Sequence, residues 1–249
     1  MKYIFLVFFS TLIFGETYLT FQRNSTALVQ NGFETIEAEA TATNQAAYYP
    51  LYGNALDYSQ NNNDGTVYGA VSTGTNYYFD GVDDYIDIGD INTNSESVSL
   101  WFYNDNTISK SSSPECVIQL GINDANNYYQ ISFGTSTSLL ANELIAVIVK
   151  DNGDLYRSGY TSSTATITTG WHHLAVVRSD NSENYYIYLD GVKVNNAAVG
   201  TDCPAQLAND VRIAQRDNVD YFNGYIKDVR IYNRALTAEE ISNIYNATK

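Results

Sequence analysis

Between Gly170 and Val194 the alternation of apolar and polar positions predicts three consecutive antiparallel strands. Trp171 to Arg178 and Tyr185 to Leu189 are rich in β-branched and aromatic residues, which suit a pleated, half-buried surface. A polar loop from Ser179 to Asn184 joins them. Asp190-Gly191 then turns the chain into Val192-Lys193-Val194, and Asp-Gly between apolar runs is the signature of a type I′ hairpin. By the two-residue period, Tyr186 and Tyr188 share a face opposite Ile187 and Leu189.

The same pattern recurs along the chain. Strand character is read at 66–68, 77–79, 84–88, 98–103, 116–121, 128–133, 144–150, 155–160, 165–168, 211–214 and 225–232. Polar turns separate the runs, the densest being Asp57 to Gly65, where Asp and Asn side chains can bond nearby backbone. One helix is predicted. Thr237 caps it with Glu240 three residues on, and Leu236 and Ile241 stand at the positions of a hydrophobic staple. Short strands in this number predict an all-β, antiparallel two-sheet sandwich with one short C-terminal helix.

The start of the chain departs from this pattern. Lys2 followed by the apolar stretch Tyr3 to Phe14 predicts a secretory leader over residues 1–15, with an uncleaved anchor as the competing reading. Glu16 to Ala47 is polar with scattered apolar residues and reads as an arm or linker. Tyr48 opens the folded domain, residues 48–249. An arm pairing with a neighbour's sheet edge would make a homo-oligomer through residues 16–47.

Composition narrows the partners. The chain has 249 residues, a formal net charge of −15 and 22 tyrosines. Binding to nucleic acid is disfavoured, because it needs clusters of Lys and Arg. Beyond the leader, no apolar run is long enough to span a membrane. Cys116 and Cys203 make an even count, and in an oxidising compartment a bridge between them is expected as readily as two free thiols. Asn24 and Asn246 begin sequons that a eukaryotic secretory route would glycosylate.

Five segments together resemble the laminin-G-like branch of the concanavalin A-like lectin/glucanase superfamily. They are Asp57-x-Ser59-x-Asn61-x-Asn63-x-Gly65-Thr66, Phe79-Asp80-Gly81-x-x-Asp84-Tyr85-Ile86, Trp171-His172-His173-Leu174-Ala175, Leu189-Asp190-Gly191, and Gly224-x-Ile226-x-x-Val229-Arg230-Ile231-Tyr232-Asn233-Arg234-Ala235-Leu236. The resemblance runs from about Tyr48 to Tyr245. It implies a jelly-roll sandwich that binds carbohydrate or protein in secreted or surface proteins. Two positions depart from the family pattern. Gln60 stands where the family has Gly, and Lys227 replaces the Asp that often helps to hold calcium. The resemblance thus implies that the Lys227 ammonium takes the place of that cation, or that the metal site has moved or vanished.

Candidate chemistry follows from these readings. Related glucanases place carboxylates on alternate positions of one strand, so that both reach the cleft. Tyr85-Ile86-Asp87-Ile88-Gly89 retains one carboxylate, so no catalytic pair is expected. His172 and His173 are adjacent on a strand and point to opposite faces, so they do not readily chelate one metal together. Asp57, Asn61, Asn63 and Asp64 offer hard oxygens for Ca2+ in one turn, and Asp83, Asp84, Asp87 and Asp90 form a second acidic patch. For a glycan, the candidates are Tyr128, Tyr186, Tyr188, Tyr221 and Asn223. The expectation is a non-enzymatic module that binds a glycan or a glycosylated surface protein. The alternatives are a structural subunit assembled through its arm, and a glycan hydrolase with an unrecognised acid/base pair.

Overall fold

The computed structural model describes residues 45–91, 94–105, 115–121, 128–133, 145–151, 154–160, 167–178, 185–194, 197–199, 206–207, 210–216 and 218–249. The strands are β1 (Gln45–Tyr49), β2 (Thr66–Tyr68), β3 (Val71–Ser72), β4 (Tyr77–Asp80), β5 (Tyr85–Gly89) and β6 (Asn94–Ser95). They continue with β7 (Ser97–Asn104), β8 (Glu115–Gln119), β9 (Tyr128–Phe133), β10 (Ile145–Asp151), β11 (Asp154–Tyr160) and β12 (Gly170–Arg178). The last are β13 (Tyr185–Leu189), β14 (Val192–Lys193), β15 (Ala197–Val199), β16 (Gln206–Leu207), β17 (Val211–Ile213) and β18 (Asn223–Tyr232), followed by helix α1 (Ala238–Thr248).

Two eight-stranded sheets form the sandwich. The first runs β14-β13-β12-β7-β18-β4-β3, with β1 also paired to β18. The second runs β15-β11-β10-β9-β8-β17-β5-β2. Every pairing is antiparallel. The alternation read in the sequence decides what lies between the sheets. Leu100, Phe102, Leu174, Val176, Ile187 and Ile226 come from the first sheet. Ile86, Ile118, Ile131 and Phe133 meet them from the second. The Phe102 and Phe133 rings lie 4.5 Å apart across the gap.

The outer face of the first sheet has its own cover. Ile241 and Ile244 of helix α1, with Leu236 just before its cap, pack on Ala175, Val177, Tyr188 and Tyr232. Thr237 and Glu240 form the expected capping box. Arg234 holds Glu240 in an ion pair at 2.6 Å, so the carboxyl lies well below its usual range, at about 2. Leu236 and Ile241 join one cluster, as the staple requires.

The Asp190-Gly191 turn is as expected, with φ of 51° and 77°. The chain differs from the expectation at its start, at Ile167-Thr168, and in the short strands β3, β6, β15 and β16, which were not expected. β1 opens at Gln45, ahead of Tyr48, because residues 45–49 pair with β18. Ile167 and Thr168 are not strand. Their carbonyls instead accept from the Asn104 side-chain amide at 2.5 and 3.1 Å. The leader, residues 16–44 of the arm with Asn24, and Cys203 lie outside the described residues. Cys116 is a buried free thiol, and burial pushes its pKa up to about 12.

Candidate functional site

Pairing register builds one surface that no single segment contains. On the outer face of the first sheet, Tyr78 pairs with Tyr225, Tyr225 with Tyr103, and Tyr103 with Trp171. These four aromatic residues cross strands β4, β18, β7 and β12 in one row. Three strand spacings make a strip roughly 15 Å long. All four are half-buried. Tyr78 tilts onto Tyr225 at 5.0 Å. Tyr103 stands edge-on to Tyr225 at 5.9 Å and to Trp171 at 5.6 Å. Edge-to-face contacts of this kind fix ring orientation, leaving a preformed apolar platform with phenolic hydroxyls along it.

A second row borders the first. Lys227 pairs with Trp101, and Trp101 with His173. The Lys227 ammonium lies 4.7 Å from the centre of the Trp171 ring and 5.4 Å from that of Trp101. Trp101 is 4% exposed, because the end of α1 covers it. Its indole N–H donates to Thr248 Oγ1 at 2.8 Å, and Tyr245 stacks on it at 5.7 Å. The second row is thus a rim, and the first is the open surface. The Lys227 ammonium is thus set against two indole faces.

The two histidines point to opposite faces, as expected. His173 faces outward against Trp101, and burial lowers its pKa to about 4. His172 faces inward against Phe102. Its ring nitrogens meet acceptors on both sides, Asp190 Oδ2 at 2.7 Å and the Thr168 carbonyl at 2.8 Å. Two acceptors favour the doubly protonated ring. The hydrogen bond to Asp190 raises the His172 pKa, against the opposing effect of burial. Burial also works against the Asp190 charge, but its bonds to His172 and to the His173 amide prevail and lower its pKa.

The pair therefore stabilises the fold most between pH 3.8 and 6.5, the usual values of the two groups. The Asp190 contribution is lost as pH falls through its depressed value. The His172 contribution is lost as pH rises through its raised one. Asp190 is partly exposed, so the loss from pH 5 to 8 should be about 1 kcal/mol or less. His172→Asn should flatten that part of the stability profile in urea titrations at the two pH values. A variant that keeps the wild-type slope would contradict the assignment.

The other candidate positions scatter. Tyr186 and Tyr188 share a face as expected, but Tyr188 is 6% exposed beneath α1 and presents nothing to a ligand. That is a correction, and its cause is the helix. Tyr186 lies under the Lys193 ammonium, 3.3 Å from the ring centre. Tyr128 begins β9 in the second sheet, and its side chain is outside the described residues. Tyr221 and Asn223 lie at the entry to β18, where the Asn223 amide donates to Glu115 at 3.3 Å.

The polar turn is used for holding the chain. Asp57 is fully buried and accepts from the amides of Tyr48, Ser59 and Asn63 at 2.8–3.0 Å, and from the Ser59 hydroxyl at 2.9 Å. Asp64 accepts from the Asp57 amide at 2.9 Å. Asn61 and Asn63 donate to the Ala46 carbonyl at 2.9 and 3.2 Å. Both Asp57 oxygens and the Asp64 Oδ1 thus face N–H groups. Gln60 is exposed and keeps a negative φ, so the missing glycine costs nothing.

The second acidic patch divides. Asp83 and Asp84 converge with Asp80, whose amide donates to Asp84 Oδ2 at 2.9 Å. Asp87 bonds the Gly89 amide at 3.0 Å, and Asp90 the Asp210 amide at 2.8 Å. Asn246 is exposed on α1, where its side chain donates to the Ser242 carbonyl at 2.8 Å.

Two stacked antiparallel sheets with one short C-terminal helix define a jelly-roll class of domain. The chain belongs to the concanavalin A-like lectin/glucanases superfamily, matching its Laminin_G_3 family over residues 79–242. No curated protein matches by sequence. Among solved structures, one similar in fold is domain 4 of AbnA, a GH43 extracellular arabinanase from Geobacillus stearothermophilus, in complex with arabinotriose. The TM-score is 0.60 at 20% identity, covering 81% of this chain and 98% of that one. The botulinum neurotoxin serotype D binding domain matches with a TM-score of 0.63 at 18% identity, over 84% of this chain and 53% of that one. The binding domain of botulinum neurotoxin DC, solved in complex with SialylT, matches with a TM-score of 0.65 at 14% identity, over 84% and 52%. The chain therefore spans about half the length of the neurotoxin binding domains it matches. Among the described residues, no helix is long and apolar enough to cross a membrane.

Proposed function

We propose that this protein is a non-enzymatic, extracellular carbohydrate-binding module, and that the strip Tyr78, Tyr225, Tyr103 and Trp171 is its sugar platform. The observation behind this reading is the register that lines up four half-buried aromatic residues on a face the helix leaves open. A sugar ring presents C–H groups to an aromatic face and keeps its hydroxyls for water and for phenolic oxygens. The strip is long enough for a short run of such rings. The partner is a glycan, free or carried on a surface protein.

Similar folds support a binding role. Domain 4 of the arabinanase, matched over 98% of its length, was solved with arabinotriose. The neurotoxin binding domains were solved with SialylT and with rat synaptotagmin II. Binding is favoured over hydrolysis because Asp87 stands alone among the positions of β5, with its side chain turned to the Gly89 amide.

Tyr225 contacts both Tyr78 and Tyr103, so it is the residue to remove. On a broad glycan array, the wild-type protein should select a small set of oligosaccharides. Tyr225→Ala should weaken the best of them by roughly tenfold or more, as truncating a central aromatic contact does. Its thermal midpoint should stay close to wild type. An array with no bound glycan, or an unchanged affinity in the variant, sinks the reading.

A further inference from the structure

We infer that the platform selects acidic glycans, and that Lys227 is the residue that meets the acid group. The inference rests on the carbohydrate-binding reading above and specifies the ligand class. A chain with a formal net charge of −15 repels anions as a whole, so any anionic ligand needs a local cation. The arginines whose side chains the structure describes do not supply one. Arg178, Arg212, Arg216, Arg230 and Arg234 each hold a carboxylate.

Lys227 differs from all of them. Among the described residues it has no carboxylate partner and no hydrogen bond. It is half-buried, and its ammonium lies over the Trp171 and Trp101 rings. An indole face holds a cation in place without neutralising it, and it leaves the N–H donors unspent. Trp171 belongs to the strip itself, and Lys227 shares a face with Tyr225 two residues away. A ring stacked on Tyr225 or Tyr103 would set a ring substituent beside that ammonium. A carboxylate or a sulfate ester there forms a charge-assisted hydrogen bond, whereas a neutral hydroxyl exchanges only with water. The shared chemistry is an anionic substituent on a sugar ring.

The test is titration calorimetry with three probes in the presence of a chelator, so that no divalent cation bridges the partners. The probes are an oligogalacturonate, its carboxyl-reduced neutral counterpart, and a sulfated oligosaccharide of similar length. For the wild-type protein, the tighter of the two acidic probes should bind roughly tenfold better than the neutral one, and rising salt should shrink the difference. Which acidic probe wins identifies the substituent as carboxylate or sulfate. Lys227→Gln should bring the acidic-to-neutral ratio to parity, and Lys227→Arg should keep most of it. A wild-type ratio already at parity overturns the inference, and so does a Lys227→Gln variant that keeps the wild-type ratio. Either result leaves the platform standing, provided Tyr225→Ala still weakens binding. If none of these probes binds while the glycan array yields a neutral ligand, acid selection alone fails.

Discussion

Replacing Arg230 with methionine is expected to cost about 3–5 kcal/mol of unfolding free energy, because it strands a buried carboxylate. Asp228 is 3% exposed, and Arg230 is its ion-pair partner at 3.0 Å. Asp228 sits in a bulge of β18 with φ of 53°, its amide reaching the Pro50 carbonyl at 3.2 Å. The guanidinium also lies 4.6 Å from the centre of the Tyr48 ring, so the pair ties β1 to β18. Burial works against the arginine's charge, but Asp228, Tyr48 and Tyr232 outweigh it and hold the proton more tightly than usual. Urea denaturation gives the cost directly. Adding Asp228→Asn should recover at least half of it, since asparagine tolerates the left-handed backbone and carries no charge. A loss below about 1 kcal/mol in the single variant would mean that water reaches the carboxylate.

Asp57→Ala should be comparably damaging, at about 3–5 kcal/mol. Its two oxygens satisfy three backbone amides and one hydroxyl in a site with no water exposure. Removing them leaves those N–H groups buried without acceptors, each costing about 1–3 kcal/mol before relaxation. Asp57→Asn should lose somewhat less, because one oxygen remains while the new N–H2 group faces other donors. The measurement is the urea midpoint at constant slope. A change in slope would instead report a native state in which β1 has come away from β18.

Local rules made much of the fold legible. Alternation placed most of the longer strands but not β1, β3 or β15, Asp190-Gly191 fixed its hairpin, and the Thr237 to Glu240 spacing fixed the helix start. The face shared by Tyr186 and Tyr188 was readable from the two-residue period. That α1 would cover Tyr188 was not, because docking of the helix depends on Ala175 and Val177, which are far from it in sequence. The same limit hid the platform. Each of Tyr78, Tyr103, Trp171 and Tyr225 is an ordinary strand aromatic, and only the pairing of β4, β18, β7 and β12 aligns them. The alternation of Trp101 with Tyr103, and of Tyr225 with Lys227, was the available signal, but it gives a face without a neighbour. The Asp57 turn was recognised as polar, and its use depended on the amides that happen to converge there.

The last turn of α1 rests on Trp101 through Thr248 and Tyr245, one strand row from the open tyrosines. Whatever is joined after Lys249, such as an affinity tag, a linker or a sensor-chip tether, emerges next to that surface. Immobilising the protein by that end would shade the platform and make a competent binder look inert.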